Sequence, residues 1–277
     1  MNREERTYDF VNWAFYSHFD KELVQIIKKS IGLMSQKEIT VFDVGCYVGS
    51  FSDSLNRELR KNIDKKITYH LFDPNGRVKK SLSERLKFKY NYHQVAISDN
   101  NHSEQNFYFN PVNPWTMSSL DPSYLGNKFW RWSRAWAVGK KNIDIQIFKT
   151  KTITIDDFCY RNNVSTVDVL KIDVEGTQYE VIMGAQKILQ SCSIVIVEVL
   201  AEKKDFNEQF RKVENFLYSK NFVLHQQKNT SKVLEKLSSF KAKDLLFVKR
   251  NLLCPSFYVS FEICDYYSFF EICGCII

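Results

Sequence analysis

The seven residues Asp43-Val44-Gly45-Cys46-Tyr47-Val48-Gly49 follow the apolar run Ile39 to Phe42, and thirty residues past Asp43 a second apolar run, Tyr69 to Phe72, ends in Asp73. This pairing constrains the fold more than any other feature of the chain. It fits the first two strands of a parallel sheet, whose ligands gather at the strands' carboxyl ends. Glycines at the first tip let the backbone approach a ligand closely, and a carboxylate at the second tip can accept hydrogen bonds from both hydroxyls of a ribose. Dinucleotide sites use G-x-G-x-x-G, in which an extra glycine and a helix N-terminus cradle a pyrophosphate. Here the spacing is D-x-G-x-x-x-G, with Tyr47 where a middle glycine would stand. A carboxylate at Asp43 repels a pyrophosphate and suits a cationic ligand. The same residues also read as a plain strand, tight turn and helix with a second strand nearby, and Gly45 and Gly49 alone do not separate the two.

A third element does. Val167 to Ile172 is apolar apart from Asp168 and Lys171, and it runs into Asp173-Val174-Glu175-Gly176 and a helical stretch. Lys171-Ile172-Asp173-Val174-Glu175-Gly176 resembles the K-I-D-x-E-G signature of the FkbM family of S-adenosylmethionine-dependent methyltransferases. Asp43 to Gly49 resembles that family's D-x-G-A-N-x-G, Asp73-Pro74 its acid-Pro pair, and Val95-Ala96-Ile97-Ser98-Asp99 its third strand. Thr154-Ile155-Asp156-Asp157-Phe158 resembles its T-L-D-D-F element and Ser118-Ser119-Leu120 its short serine motif, and all of these stand in the family's order between Ile39 and Arg250. S-adenosylmethionine carries an ammonium and a sulfonium and no phosphate, which agrees with the acid at Asp43. The resemblance implies that Asp43, Gly45, Tyr47, Gly49, Ser50, Asp73 and Ala96 line the cofactor. Tyr47 departs from the family's Asn.

At 277 residues the chain is long enough for one α/β domain with a sheet covered on both faces. Strand and helix patterns alternate: Phe51, Leu55 and Leu59 form one helical stripe, and Val78, Leu82 and Leu86 another. The alternation fits a doubly wound parallel sheet, and the resemblance implies that it is a Rossmann-like class I methyltransferase sheet. Seven mostly parallel strands are expected, with an antiparallel last strand supplied by Phe222 to Leu224 and Leu245 to Val248. Residues 1–38 are expected to form a helical cover, capped by Asp20 and striped by Phe19, Leu23, Ile26, Ile27 and Ile31. The resemblance implies that residues 39–250 make the methyltransferase domain. A third strand is expected over His93 to Ser98, and an insertion over about 100–150 carries β-type segments at Asn106 to Phe109 and Ile143 to Thr150.

Methyl transfer to oxygen is an in-line displacement at a sulfonium carbon, so the protein must align donor and acceptor and take the acceptor's proton. Asp173, Glu175 and His102 are the candidate catalytic groups. Asp173 and Glu198, with Glu175 nearby, could also hold a divalent cation such as Mg or Mn that acidifies a hydroxyl. Each acid has a plainer reading: Asp173 capping the next helix, Glu175 favouring its dipole, Glu198 paired with Lys171. Lys171 shares a strand face with Asp173, so an ion pair is as plausible there as catalysis. His93 is expected at the start of the third strand, away from the cofactor. Trp115, Trp130, Trp132 and Trp136 place four of the five tryptophans in the insertion, interleaved with Arg131 and Arg134. Trp130, Arg131 and Trp132 suit the apolar face and the anionic groups of a glycan, although a small aromatic core or base stacking would use the same residues.

Composition removes other classes. The formal charge is +7, and because no Lys or Arg follows Arg250 while Glu262, Asp265 and Glu271 do, the first 250 residues carry +10. The lysines are scattered without a dense arginine run, which fits a solvated basic surface and not a nucleic-acid interface. Seven cysteines include no C-x-x-C, so neither zinc nor a disulfide framework is signalled. No apolar leader follows Met1, and the expected location is cytoplasmic. The tail 251–277, with four of the seven cysteines, is too often interrupted by acids to span a membrane and is expected outside the core fold. The resemblance implies O-methylation of a sugar, a glycan or another polyhydroxylated metabolite. A catalytically silent binding module, raised by Tyr47, and a nicotinamide oxidoreductase remain the competing readings.

Overall fold

The structure, a computed structural model, describes residues 21–102, 104–109, 118–125, 145–229 and 240–252. Strands β1 (Glu38–Val44), β2 (Lys66–Phe72), β3 (Asn91–His93), β8 (Val169–Ile172), β9 (Ile194–Glu202), β10 (Phe222–Asn229) and β11 (Phe240–Lys249) form a seven-stranded sheet. Between β3 and β8 the chain also forms β4 (Ala96–Ile97), β5 (Gln105–Phe109), β6 (Gln146–Thr150) and β7 (Thr152–Ile153). The order across the large sheet is β3-β2-β1-β8-β9-β11-β10. All its pairings are parallel except those of β11, which is antiparallel to both β9 and β10. Strand order reverses between β1 and β8, and a crevice opens beyond their carboxyl ends at such a switch point.

Helices α1 (Lys21–Leu33), α2 (Ser50–Asn62) and α3 (Val78–Arg85) cover one face; α4 (Ile155–Arg161), α5 (Gln178–Met183) and α6 (Phe206–Ser219) cover the other. The central strands are buried on both faces and so read as continuous apolar runs rather than alternating ones. In β9, Ile194 and Ile196 belong to the α1–α3 side while Val195, Val197 and Val199 belong to the α4–α6 side. Leu23, Ile27 and Ile31 of α1 are fully buried against that first face with Phe51, Leu55 and Leu59 of α2.

The segment Thr154 to Phe158 shows why each residue stands where it does. The Thr154 hydroxyl accepts from the Asp157 amide at 3.0 Å and caps α4. Asp156 accepts from the amides of Lys187 and Ile188, both at 2.9 Å, and ties α4 to the turn after α5. Phe158 enters the core edge-on to Phe42, Phe72 and His93. Removing the cap alone, as Thr154→Ala, should lower stability by about 0.5–2 kcal/mol in urea unfolding, with Thr154→Ser close to wild type.

The expected third strand is divided. Only Asn91 to His93 pair with β2; the Val95 amide then bonds back to the His93 carbonyl at 3.0 Å, a three-residue turn that takes the chain out of the sheet. Ala96 and Ile97 pair instead with β7 in a separate parallel ladder. His93 therefore ends β3 at the ligand edge, where its carbonyl accepts from the Asp73 amide at 3.2 Å; it does not begin the strand at the far edge as the sequence suggests. Its ring turns toward α4, stacks on Phe72, and meets His70 with 3.0 Å between ring nitrogens. Burial and the neighbouring His70 push it down to about 4, so it is a neutral packing group.

Within the insertion, β5 and β6 form an antiparallel hairpin, with β5 starting one residue earlier than the sequence suggests and β6 starting at Gln146 instead of Ile143. Trp115, Trp130, Arg131, Trp132, Arg134 and Trp136 lie outside the described residues, as do Phe19, Asp20 and the tail from Leu253 onward. No helix among the described residues is long and apolar enough to cross a membrane.

Candidate active site

The turn after β1 is held in one shape by its backbone. Gly45 at φ +75°, Tyr47 at +44° and Gly49 at +74° are left-handed. The amides of Gly45 and Cys46 both donate to the Phe72 carbonyl, at 2.9 and 3.1 Å, and draw the turn toward the end of β2. Gly45 is required twice over. Its φ disfavours a side chain, and a Cβ there would sit 1.9 Å from the backbone oxygen of Asp173. The tips of β1 and β8 thus touch backbone to backbone.

Asp73 is half-buried and faces this turn. One oxygen accepts from the Tyr47 amide at 3.1 Å and the other from the Asn75 amide at 2.9 Å. Burial, assisted by the nearby Asp43, outweighs those two bonds and raises its carboxyl to about 6. The Tyr92 hydroxyl donates to the carbonyls of Asp73 and Asn75 and braces the turn from below. Tyr47 contributes its amide here, so its departure from the expected Asn leaves the Asp73 contact intact. What changes is conformational: Asn tolerates a left-handed φ better than Tyr does.

Asp43 is fully buried and does not open onto the crevice. Ser52 of α2 donates to one oxygen at 2.7 Å, and Lys171 to the other at 3.3 Å. Lys171 pairs in register with Asp43 across β1 and β8, and its Nζ also lies 2.9 Å from Asp173 Oδ2. Burial works against the ammonium, but Asp173 and Asp43 outweigh it and raise Lys171 above the usual lysine range. Asp43 is therefore enclosed beneath the turn by Ser52 and Lys171.

Register also sets the third group of acids. Ile172 pairs with Val197, so Asp173 falls beside Glu198, and Glu198 pairs across β9 and β11 with Asp244. Glu198 hydrogen-bonds to Asp173. Burial, then Asp173, Asp244 and Glu175, hold the Glu198 carboxyl well above the usual range. Asp173 moves the other way: burial would raise it, but Lys171 and the hydrogen bonds from Glu198 and Lys171 lower it. The expectation that Asp173 and Glu198 bind a divalent cation is not supported. Among the described residues no group of three or more His, Cys, Asp or Glu side chains is disposed to hold a metal ion, and the Lys171 ammonium already supplies the positive charge beside Asp173.

The remaining candidates are dispersed. Ser50 begins α2 directly after Gly49, and Ala96 is buried in β4. Glu175 is partly buried, and its carbonyl accepts from the hydroxyl of Ser119. His102 is exposed; its amide donates to the Thr152 hydroxyl and its carbonyl accepts from the Thr152 amide, both at 2.9 Å, so its backbone fastens the loop to β7. Ser52 and Asp244 escaped the sequence reading, because only the sheet register and the packing of α2 reveal their partners.

The strand order β3-β2-β1-β8-β9-β11-β10 with β11 antiparallel, and acids gathered at the switch point, define a Rossmann-like class I methyltransferase. Residues 43–224 match the family described as Methyltransferase FkbM domain. The chain belongs to that family of S-adenosylmethionine-dependent methyltransferases. No curated protein matches it by sequence. Among solved structures it is similar to a protein from Pyrococcus horikoshii provisionally assigned as an RNA methyltransferase, at 14% identity over 82% of this chain and 81% of that one, with a TM-score of 0.43. It is also similar to the plantazolicin methyltransferase BpumL in complex with SAH, at 8% identity over 90% of each chain and a TM-score of 0.41. The StiE O-MT is 10% identical over 83% of this chain and 74% of that one, with a TM-score of 0.41.

Proposed function

We propose that the protein transfers the methyl group of S-adenosylmethionine to a hydroxyl of a sugar, a glycan or another polyhydroxylated small molecule. The observation that carries the cofactor half of this reading is the pairing of Asp73 with the glycine turn. Both of its oxygens accept from backbone amides while the residue stays partly exposed, an arrangement suited to receiving two ribose hydroxyls. Asp43 and Asp173, at the tips of β1 and β8, share the one Lys171 ammonium, and the negative charge left over favours an ammonium and a sulfonium over a pyrophosphate. Gly45, Tyr47, Gly49, Ser50 and Ala96 would complete the cofactor wall.

Displacement at the sulfonium carbon makes a new C–O bond, releases neutral S-adenosylhomocysteine and frees the proton of the acceptor hydroxyl. Asp173 and Glu175, on the turn that closes β8, are the candidate groups to receive that proton. His102, exposed and tied through its backbone to β7, is the further candidate. The hydroxyl acceptor is supported by the family resemblance, whose known members methylate such groups.

Asp73→Ala should weaken S-adenosylhomocysteine binding by about 1–3 kcal/mol in calorimetry through loss of charged hydrogen bonds. The wild-type affinity should also fall as pH drops through about 6, because the protonated Asp73 accepts fewer hydrogen bonds and the ligand must displace its proton. A folded Asp73→Ala protein with unchanged affinity would remove Asp73 from the site. Transfer of labelled methyl to a pool of glycans, with peptide and RNA pools alongside, tests the acceptor class.

A further inference from the structure

Two contacts outside the methyl-transfer chemistry join the insertion hairpin to the turns of the proposed cofactor site. Arg77 follows the turn that carries Asp73. Its guanidinium lies 5.2 Å from the ring centroid of Phe109, and its Nη2 donates to Oε1 of Gln146 at 3.3 Å. Phe109 and Gln146 face each other in the β5–β6 register, so one side chain grips both strands. The second contact is Ser119. It exchanges backbone hydrogen bonds with Tyr108 of β5, at 2.9 and 3.0 Å, and is buried. Its hydroxyl donates to the Glu175 carbonyl and accepts from the Asp121 amide at 3.0 Å. Glu175 precedes Gly176, at φ +87°, in the turn whose Asp173 oxygen abuts Gly45. One hairpin is thereby fastened to the turn with Asp73 and to the turn with Asp173.

We propose that Arg77 and Ser119 are positioning residues that couple the cofactor to the insertion, so that a ligand ordering the two turns also orders the β5–β6 hairpin. The inference rests on the cofactor site proposed above. A ligand that stabilises one arrangement of the turns biases whatever is bonded to them, and the coupling is reciprocal. The acceptor side is then organised once the cofactor is in place, which favours cofactor binding before acceptor.

Hydrogen exchange on the full chain, with and without saturating S-adenosylhomocysteine, tests this. In the wild type the ligand should slow exchange at residues 45–49 and 73–76 and also at 105–109 and 146–150. In Ser119→Ala and in Arg77→Gln the protection reaching the hairpin should fall on the order of threefold or more, while protection at 45–49 persists. Ser119→Thr keeps the hydroxyl on a β-branched side chain suited to an extended position and should restore it. Arg77 is exposed, so its variant reports even where Ser119→Ala perturbs the fold. Undiminished hairpin protection in either folded variant, or wild-type protection confined to the two turns, overturns the coupling. Absence of protection anywhere in the wild type instead removes the cofactor site itself.

Discussion

Lys171→Met should destabilise the protein by about 3–5 kcal/mol, the effect of leaving one partner of a buried ion pair uncompensated. The substitution keeps much of the aliphatic volume and removes only the charge. Asp43, fully buried, would be left with the Ser52 hydroxyl as its remaining side-chain donor, and Asp173 would lose its salt bridge beside Glu198. Equilibrium urea unfolding measures the loss. The double variant Lys171→Met/Asp43→Leu removes both charges and should recover a large part of it, because apolar replacement of a whole buried pair is often neutral or stabilising. A single variant within about 1 kcal/mol of wild type would show that the pair is solvated and that the site is less closed than its geometry. The sign with pH follows from the raised Lys171. A lysine whose folded pKa exceeds its unfolded value contributes fully below the unfolded value, near 10.4. That contribution is lost as pH climbs through the higher folded value, so the pair is intact throughout neutral pH.

Gly45→Ala should be the most damaging of the glycine substitutions in the turn, at about 2–4 kcal/mol with loss of S-adenosylhomocysteine binding. The reason is the identity of the atom that the new methyl meets. At Gly45 it is the Asp173 backbone oxygen, at 1.9 Å, which retreats only if the end of β8 moves. At Gly49, with almost the same φ, it is the tip of the Leu82 side chain at 2.9 Å and those of Leu86 slightly farther, which can turn aside. Gly49→Ala should therefore lose about 1–2 kcal/mol, mainly through backbone strain. The two variants compared by unfolding and by calorimetry separate these causes. If Gly49→Ala proves the worse, the contact between the β1 and β8 tips is not what fixes the turn.

Much of this architecture is legible in the chain itself, and for local reasons. Apolar runs of strand length, helical stripes such as Phe51-Leu55-Leu59, and glycines at the strand tips are properties of neighbours in sequence. Together they dictate an alternating α/β sheet with its ligand edge at Asp43, Asp73 and Asp173. Strand parity likewise places Lys171 and Asp173 on one face, as the salt bridge between them shows. The Thr154 cap is equally local, because its hydroxyl closes on an amide three residues on.

What the chain could not disclose depends on contacts between distant segments. Lys171 finds Asp43 across 128 residues because β8 inserts beside β1, and that pairing turns an expected ligand-facing acid into a buried structural one. Glu198 meets Asp244 through the antiparallel register of β11, and burial together with Asp173, Asp244 and Glu175 raises its carboxyl well above the usual range. The bend after His93 moves that residue from the far edge of the sheet to the ligand edge, and only the packing of Phe72 and Phe158 turns its ring away. Local sequence determines which groups stand at strand tips, because propensity and periodicity act over a few residues. Register and packing decide which of those groups touch, because a hydrogen bond between strands depends on where each strand enters the sheet, and that is set by the whole fold.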